Sequence, residues 1–242
     1  MIGTFNVLKV INELKCVKSI VIATSDKCYE NNEKKKSFNE SSKLGGSEPY
    51  SFSKALTEQL VYLFRKNSLK KSIAISTVRA GNVIGGGDFS KYRLIPDIIR
   101  NLKKKKITLR NPNSIRPWQH VFDVCTAYLY IPVFHYRNKI KYSGPYNVGP
   151  SNKKFINVYK LTILFLNCFN KNYKILKKKL NFVESKYLVL NSDKIKKSLF
   201  WKQKYSIIKS LTVTAEWYEN FLKKREIYNF SNTQITKYIN LL

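Results

Sequence analysis

Apolar residues recur at helical spacing at Val7, Leu8, Ile11 and Leu14, so the pattern predicts an opening amphipathic helix with no strand before it. Ser19-Ile20-Val21-Ile22-Ala23-Thr24 follows as a short continuous apolar run with β-branched residues, the pattern of a strand buried on both faces of a parallel sheet. A polar loop then runs to Pro49. From Tyr50 to Asn67 the pattern is helical again, with Ala55, Leu56, Leu60, Leu63 and Phe64 as its buried stripe. Ile73-Ala74-Ile75-Ser76-Thr77-Val78 is the next buried strand; it ends at Arg79 and runs into the glycine-rich stretch Gly81 to Asp88.

Beyond it the pattern predicts a helix from about Leu94 to Leu102 and strands at Ile107 to Arg110 and Trp118 to Phe122. A helix from Asp123 toward Phe134 follows, which Pro132 is expected to end or kink, and then a strand at Tyr146 to Gly149. A helix over Phe155 to Phe169, extended pieces at Phe182 to Glu184 and Tyr187 to Leu190, and a last helix over about Ile207 to Lys224 complete the reading. The Asn/Ile/Tyr-rich tail from Glu226 is expected to fray. Helices alternating with buried strands make the chain α/β with a parallel sheet.

In open parallel sheets, ligands sit beyond the carboxyl ends of the strands. Thr24-Ser25-Asp26-Lys27 follows the first strand, Arg79-Ala80-Gly81-Asn82 the second, and Tyr50 with Lys54 opens the helix between them. Tyr50 and Lys54 stand four residues apart, one helical turn, so the ammonium can lie near the phenol and favour its ionised form. The spacing alone also fits two residues on an ordinary helix face. Taken singly, Asp26 fits a turn cap, Lys27 a solvated lysine and Arg79 an internal salt-bridge partner. Gly85, Gly86 and Gly87 suit a turn with positive φ better than a phosphate cradle, and Trp118, Trp201 and Trp217 suit packing.

Composition changes this picture little. The 242 residues are 43% hydrophobic, enough for a real core in one large or two small domains. The formal charge of +30 would suggest a nucleic acid or anionic membrane partner. However, lysine greatly outnumbers arginine, the lysines fall in scattered clusters, and Asn, Ile, Tyr and Phe are abundant too. That joint bias reads as drift in an A/T-rich coding sequence, so neither nucleic acid nor membrane is an expected partner. The four cysteines show no metal spacing, and only His120 and His135 are available as imidazole ligands, so reduced thiols and no metal are expected. No signal peptide and no apolar run near ~20 residues is seen, which predicts a soluble cytoplasmic protein.

The segments "GTFNVL", "TSDKCYE", "LGGSEPYSFSKALTE", "RAGNVIGGGDF", "RLIPDIIR", "RNPNSIRPWQHV", "YNVGP" and "ESKYLVLNSDKIKKSLFW", taken in order, resemble the extended short-chain dehydrogenase/reductases, and within them the CDP-glucose 4,6-dehydratases. The resemblance implies an internal redox cycle on a nucleotide sugar with NAD retained throughout. Tyr50, held as phenolate by Lys54, would take the proton of the C4 hydroxyl while hydride passes from C4 to NAD. Lys54 would also hold the nicotinamide ribose, Thr24 would lie at the cofactor, and Ser25 would hydrogen-bond the C4 oxygen. Lys27 would act as base at C5 and Asp26 as acid at the departing C6 hydroxyl. The Ser-Asp-Lys run is the pattern of the CDP-glucose enzymes, where dTDP-glucose dehydratases have a glutamate as base and epimerases of the group lack the acid/base pair. Asn82, Arg93, Leu94, Arg116 and His120 resemble substrate-binding positions.

The resemblance also implies an incomplete Rossmann-like doubly wound parallel sheet with a smaller α/β substrate-binding domain. Residues 1–90, joined by about 115–150, would form part of the NAD-binding domain and 91–242 mainly the nucleotide-sugar-binding domain. The family's Gly-x-x-Gly-x-x-Gly turn, which receives the NAD pyrophosphate, has no counterpart in this sequence. The expectation is therefore a dehydratase truncated at its N-terminus, homodimeric as in the intact family. The alternative is a non-catalytic remnant or split subunit whose open sheet edge pairs with a complementing N-terminal fragment.

Overall fold

A computed structural model describes residues 1–14, 16–34, 36–68, 73–150, 155–170, 173–177 and 185–242. The chain begins with α1 (Ile2–Glu13), β1 (Ser19–Ala23), α2 (Pro49–Leu63), β2 (Ala74–Ala80) and β3 (Val83–Ile84). Then come α3 (Leu94–Asn101), β4 (Lys106–Leu109), β5 (Gln119–His120), α4 (Val121–Arg137), α5 (Lys139–Tyr142) and β6 (Gly144–Val148). It continues with α6 (Val158–Asn167), β7 (Lys174–Lys177), α7 (Asp193–Leu199), α8 (Ile207–Leu222) and α9 (Ile227–Ile239). These elements fall into two compact units.

The first unit comprises Met1–Gly81, Val124–Ser151 and Leu188–Lys202, so it ends short of residue 90 and takes in a late segment that the sequence reading assigns to the other part. Among its described residues a parallel sheet has the order β1-β2-β6, with Ser19 opposite Ala74 and Ser76 opposite Gly144. The central strand β2 is buried along nearly its whole length, as expected, although it carries Ser76, Thr77 and Arg79. Ile75 and Val78 are an odd number of residues apart and face opposite ways. Ile75 packs with Leu8 of α1, Ile20 and Val61 of α2. Val78 packs with Val124, Ala127, Ile131 and Phe134 of α4, Ile195 and Leu199 of α7, and Trp201. Helices therefore cover both faces of the sheet.

Three expectations are corrected here. Of the α1 stripe, Leu8 is fully buried, whereas Val7 and Leu14 are exposed. On α2, Leu63 is exposed, and the buried face includes Ser51, Thr57 and Glu58. Pro132 does not end α4, which runs on to Arg137. Proline removes a single hydrogen bond there, while Ile131 and Phe134 on either side of it keep the helix seated.

The second unit comprises Asn82–Asp123, Asn152–Tyr187 and Gln203–Leu242. Among its described residues, β3 pairs with β5 and β4 with β7, both parallel. Its core joins Ile95, Ile98 and Ile99 of α3, Leu161, Phe165 and Leu166 of α6, and Leu211, Ala215 and Tyr218 of α8. The expected strand at Trp118 to Phe122 shrinks to Gln119–His120 because α4 already begins at Val121. Of the later extended pieces, residues 182–184 lie outside the described residues, while Tyr187 forms a bridge to Ile115. The tail does not fray: α9 docks through Tyr238 and through Gln234, whose amide donates to the Val213 carbonyl at 3.0 Å.

The glycine run serves packing more than turning. Gly87 has φ +81°, as the turn reading expects, but a Cβ on Gly86 would stand 2.1 Å from the Trp217 ring. No helix among the described residues is long and apolar enough to cross a membrane.

Candidate active site

In the first unit, α2 starts at Pro49, a residue preorganised for the first helical position. Glu48 caps it, its carboxylate accepting from the backbone N–H groups of Tyr50 and Ser51, both at 3.1 Å. Burial works against the ionised form of Glu48, but the bonds from Ser51 and these amides, with Lys27 nearby, outweigh it and hold the carboxyl below its usual range. The same carboxylate lies 3.9 Å from the Lys27 ammonium. Tyr50 is exposed, and two ammonium groups flank its ring, Lys54 at 5.6 Å and Lys27 at 5.7 Å from the centroid. The sequence reading gave Glu48 no role, although its place just before Pro49 is a cap signature.

Ser25, Asp26 and Lys27 lie just beyond β1. Ser25 caps a single 3₁₀ turn, Asp26–Cys28, accepting from the Lys27 N–H at 3.2 Å and donating to the Asp26 carboxylate at 3.0 Å. Ser25 and Asp26 are buried, whereas the Lys27 side chain is partly exposed. Thr24 turns inward: its hydroxyl donates to Glu58 and to the Val78 carbonyl.

Glu58 is the centre of a buried polar network that sequence reasoning missed. Its carboxylate pairs with the Arg79 guanidinium at 2.8 Å and accepts from Thr77 Oγ1 at 2.8 Å. Arg79 also donates to the Tyr29 hydroxyl at 2.9 Å and the Glu40 carbonyl at 3.1 Å, and Tyr29 donates to Asn147 at 2.6 Å. Of the readings open for Arg79, the internal salt bridge is the one observed. Burial opposes the Arg79 charge, but Glu58 outweighs burial and holds the guanidinium above its ordinary value. Burial raises the Cys28 thiol and the Tyr29 phenol despite Arg79. A signal existed: Ala55, Glu58 and Val61 share one face at three-residue spacing, which puts an acid on the buried side.

In the second unit, Arg93 is exposed at the head of α3 and pairs with Asp88 at 3.2 Å, while Leu94 begins the helix and is partly buried. The Asn82 carbonyl accepts from the Gln119 N–H at 3.0 Å. Arg116 is buried, and its guanidinium donates to the carbonyls of Ile115 and Ser185. His120 is buried among Phe122 and Tyr205, with ring centroids at 4.6 and 5.2 Å. Burial pushes it down to about 4, so it is neutral at pH 7. Its Nδ1 accepts from the Phe122 N–H at 3.2 Å, which leaves the proton on Nε2. Trp118 and Trp201 pack inside their units, and Trp217 stacks on Phe221.

Among the described residues no three His, Cys, Asp or Glu side chains could hold a metal. A nucleotide cofactor meets a better donor set. Tyr50 and Lys54 offer a phenol and an ammonium on one helical turn, groups suited to ribose hydroxyls.

Across 99% of its length the chain is 31% identical to CDP-glucose 4,6-dehydratase of Salmonella typhimurium, covering 69% of that protein. It is 29% identical over 198 residues to dTDP-glucose 4,6-dehydratase of Shigella flexneri, 78% of this chain and 52% of that one. In fold it is similar to the crystal structure of dTDP-glucose 4,6-dehydratase from Bacillus anthracis in complex with NAD, with a TM-score of 0.79 and 24% identity over 93% of this chain and 69% of that one. Residues 1–149, which include the Tyr50–Lys54 turn and the Ser25-Asp26-Lys27 turn, match the NAD dependent epimerase/dehydratase family, and the chain belongs to that family.

Proposed function

We propose that this chain is a nucleotide-sugar 4,6-dehydratase that converts CDP-glucose to CDP-4-dehydro-6-deoxyglucose and water. The observation that carries the reading is the Ser25-Asp26-Lys27 turn, whose lysine flanks the Tyr50 ring. An enzyme that only moved a proton and a hydride at C4 would need Tyr50 and Lys54; an acid and a base on the neighbouring turn are what elimination adds. The similarity to the Salmonella CDP-glucose enzyme supports the choice of cytidine nucleotide.

Tyr50 takes the proton of the sugar C4 hydroxyl, and the Lys54 ammonium offsets the negative charge that passes through it. Ser25 orients the C4 oxygen. NAD, when bound, would supply the hydride acceptor for C4 and the hydride donor for C6. The 4-keto group makes the C5 proton acidic; Lys27, as the neutral amine, removes that proton while Asp26, as the protonated carboxyl, gives its proton to the C6 hydroxyl, which leaves as water. Lys27 then returns a proton to C5. Lys54 and Tyr50 would hold the nicotinamide ribose. Arg93, exposed at the head of α3, is a guanidinium of the kind that binds a diphosphate. Arg116, turned onto backbone carbonyls, shapes the loop that carries it.

Incubation of the chain with CDP-glucose and NAD, followed by NMR of the sugar, tests the reading. A 4-keto-6-deoxy sugar is the expected product. A C4 epimer, or no turnover by chain shown to bind NAD, would remove the dehydratase assignment.

A further inference from the structure

Glu58 stands on α2 one turn beyond Lys54 and two turns beyond Tyr50, with its side chain 2% exposed. One carboxylate oxygen accepts from the hydroxyl of Thr24, the residue directly before Ser25. The other accepts from Thr77 Oγ1 and Arg79 Nη2, each at 2.8 Å, on the adjacent strand β2. A single carboxylate therefore ties the Tyr-Lys helix to the carboxyl ends of β1 and β2. Apolar contact is non-directional and leaves a helix free to slide or rotate on a sheet. Hydrogen bonds to three points on two strands are directional, and those involving a charged group are the strong ones.

We infer that Glu58 is a positioning residue: it fixes the Tyr50–Lys54 turn of α2 against the Ser25-Asp26-Lys27 turn through Thr24 on one oxygen and Thr77 with Arg79 on the other. The chemistry that this geometry serves rests on the dehydratase reading. Glu58 touches none of the reacting groups itself, and its effect is carried by where it holds Tyr50, Lys54 and the residue before Ser25.

Glu58→Gln alone leaves the Arg79 charge buried without its counter-charge and can unfold the chain. The test is therefore the double variant Glu58→Gln, Arg79→Met, which removes both charges and keeps the volume. In the full chain with CDP-glucose and NAD, kcat is expected to fall by about 100-fold, the cost of a displacement near 1 Å. KM for CDP-glucose is expected to stay within about threefold, because ground-state contacts are untouched. Amide hydrogen exchange, read without substrate, is expected to quicken over residues 51–54 and to stay unchanged in α8. A folded double variant whose kcat stays within about twofold of the parent overturns the inference. If the parent itself makes no 4-keto product, the dehydratase reading fails separately, and the exchange result alone decides: unchanged protection over residues 51–54 overturns the role of Glu58.

Discussion

The Lys27 ammonium lies 5.7 Å from the centre of the Tyr50 ring, although 22 residues of loop and cap separate the two in sequence. Lys27 also faces Glu48, the carboxylate that caps the helix carrying Tyr50. The proposed base and the proposed phenol are thus held through one shared acid.

Tyr50→Phe removes the hydroxyl that relays the C4 proton. Turnover of CDP-glucose is expected to drop by roughly 10²–10⁴-fold. NMR of the sugar product is the measurement, and turnover near that of the parent would contradict the assigned role.

Lys27→Met separates oxidation from elimination. Tyr50 and Lys54 remain, so reduced-nicotinamide absorbance should build up on mixing with CDP-glucose while 4-keto-6-deoxy product falls by about 100-fold. Stopped-flow absorbance with product quantitation checks it; equal loss of both signals would place Lys27 outside the elimination step.

Arg79→Met leaves Glu58 buried and uncompensated. Urea unfolding should show a loss of about 3–5 kcal/mol. A loss under about 1 kcal/mol, the range of exposed pairs, would show that the pair is not sealed from solvent.

Gly86→Ala puts a Cβ into the Trp217 ring, and the indole, bonded to Ser231 at 3.0 Å and stacked on Phe221, cannot easily withdraw. The expected cost is about 1–3 kcal/mol by thermal unfolding. An unchanged melting point would mean that the ring has room to move.

Acid should weaken the fold through His135, whose ring nitrogens meet Ser19 at 2.7 Å and Ser76 at 2.8 Å. Burial pushes this histidine down to about 4 from its ordinary 6.5. Between those values the unfolded chain binds a proton that the native one refuses, so the stabilisation is complete above 6.5 and is lost as pH falls toward 4. Buried Glu40 and Asp123, raised by desolvation, oppose the trend, so the measurement is a difference. His135→Gln should show a smaller drop in urea midpoint from pH 7 to pH 5 than the parent; equal drops would contradict it.

The strands β1 and β2 were legible from their short runs rich in β-branched residues; β2 is buried on both faces as expected, whereas in β1 only Ile20 is buried and Ala23 is exposed. That Tyr50 and Lys54 share one helical turn was legible from their four-residue spacing. Strand β7 was not, because Ile175 and Leu176 sit between lysines that carry no alternating pattern. Helix α9 was not, because its buried residues are Gln234 and Tyr238, too few to raise a period above a polar background. The Glu58 network escaped for a different reason. Its bonds join residues up to 118 apart, and such pairing leaves no local signature.

The Glu58–Arg79 pair also governs which mutational routes are open to the chain. An exposed lysine changes singly at little cost, typically within about 0.5 kcal/mol, so a compositional bias in the gene can rewrite the surface codon by codon. Neither member of the buried pair can lose its charge alone, because that step leaves an isolated buried charge and consumes a large share of a domain's ~5–15 kcal/mol. The pair can give way to uncharged residues only by two changes arriving together.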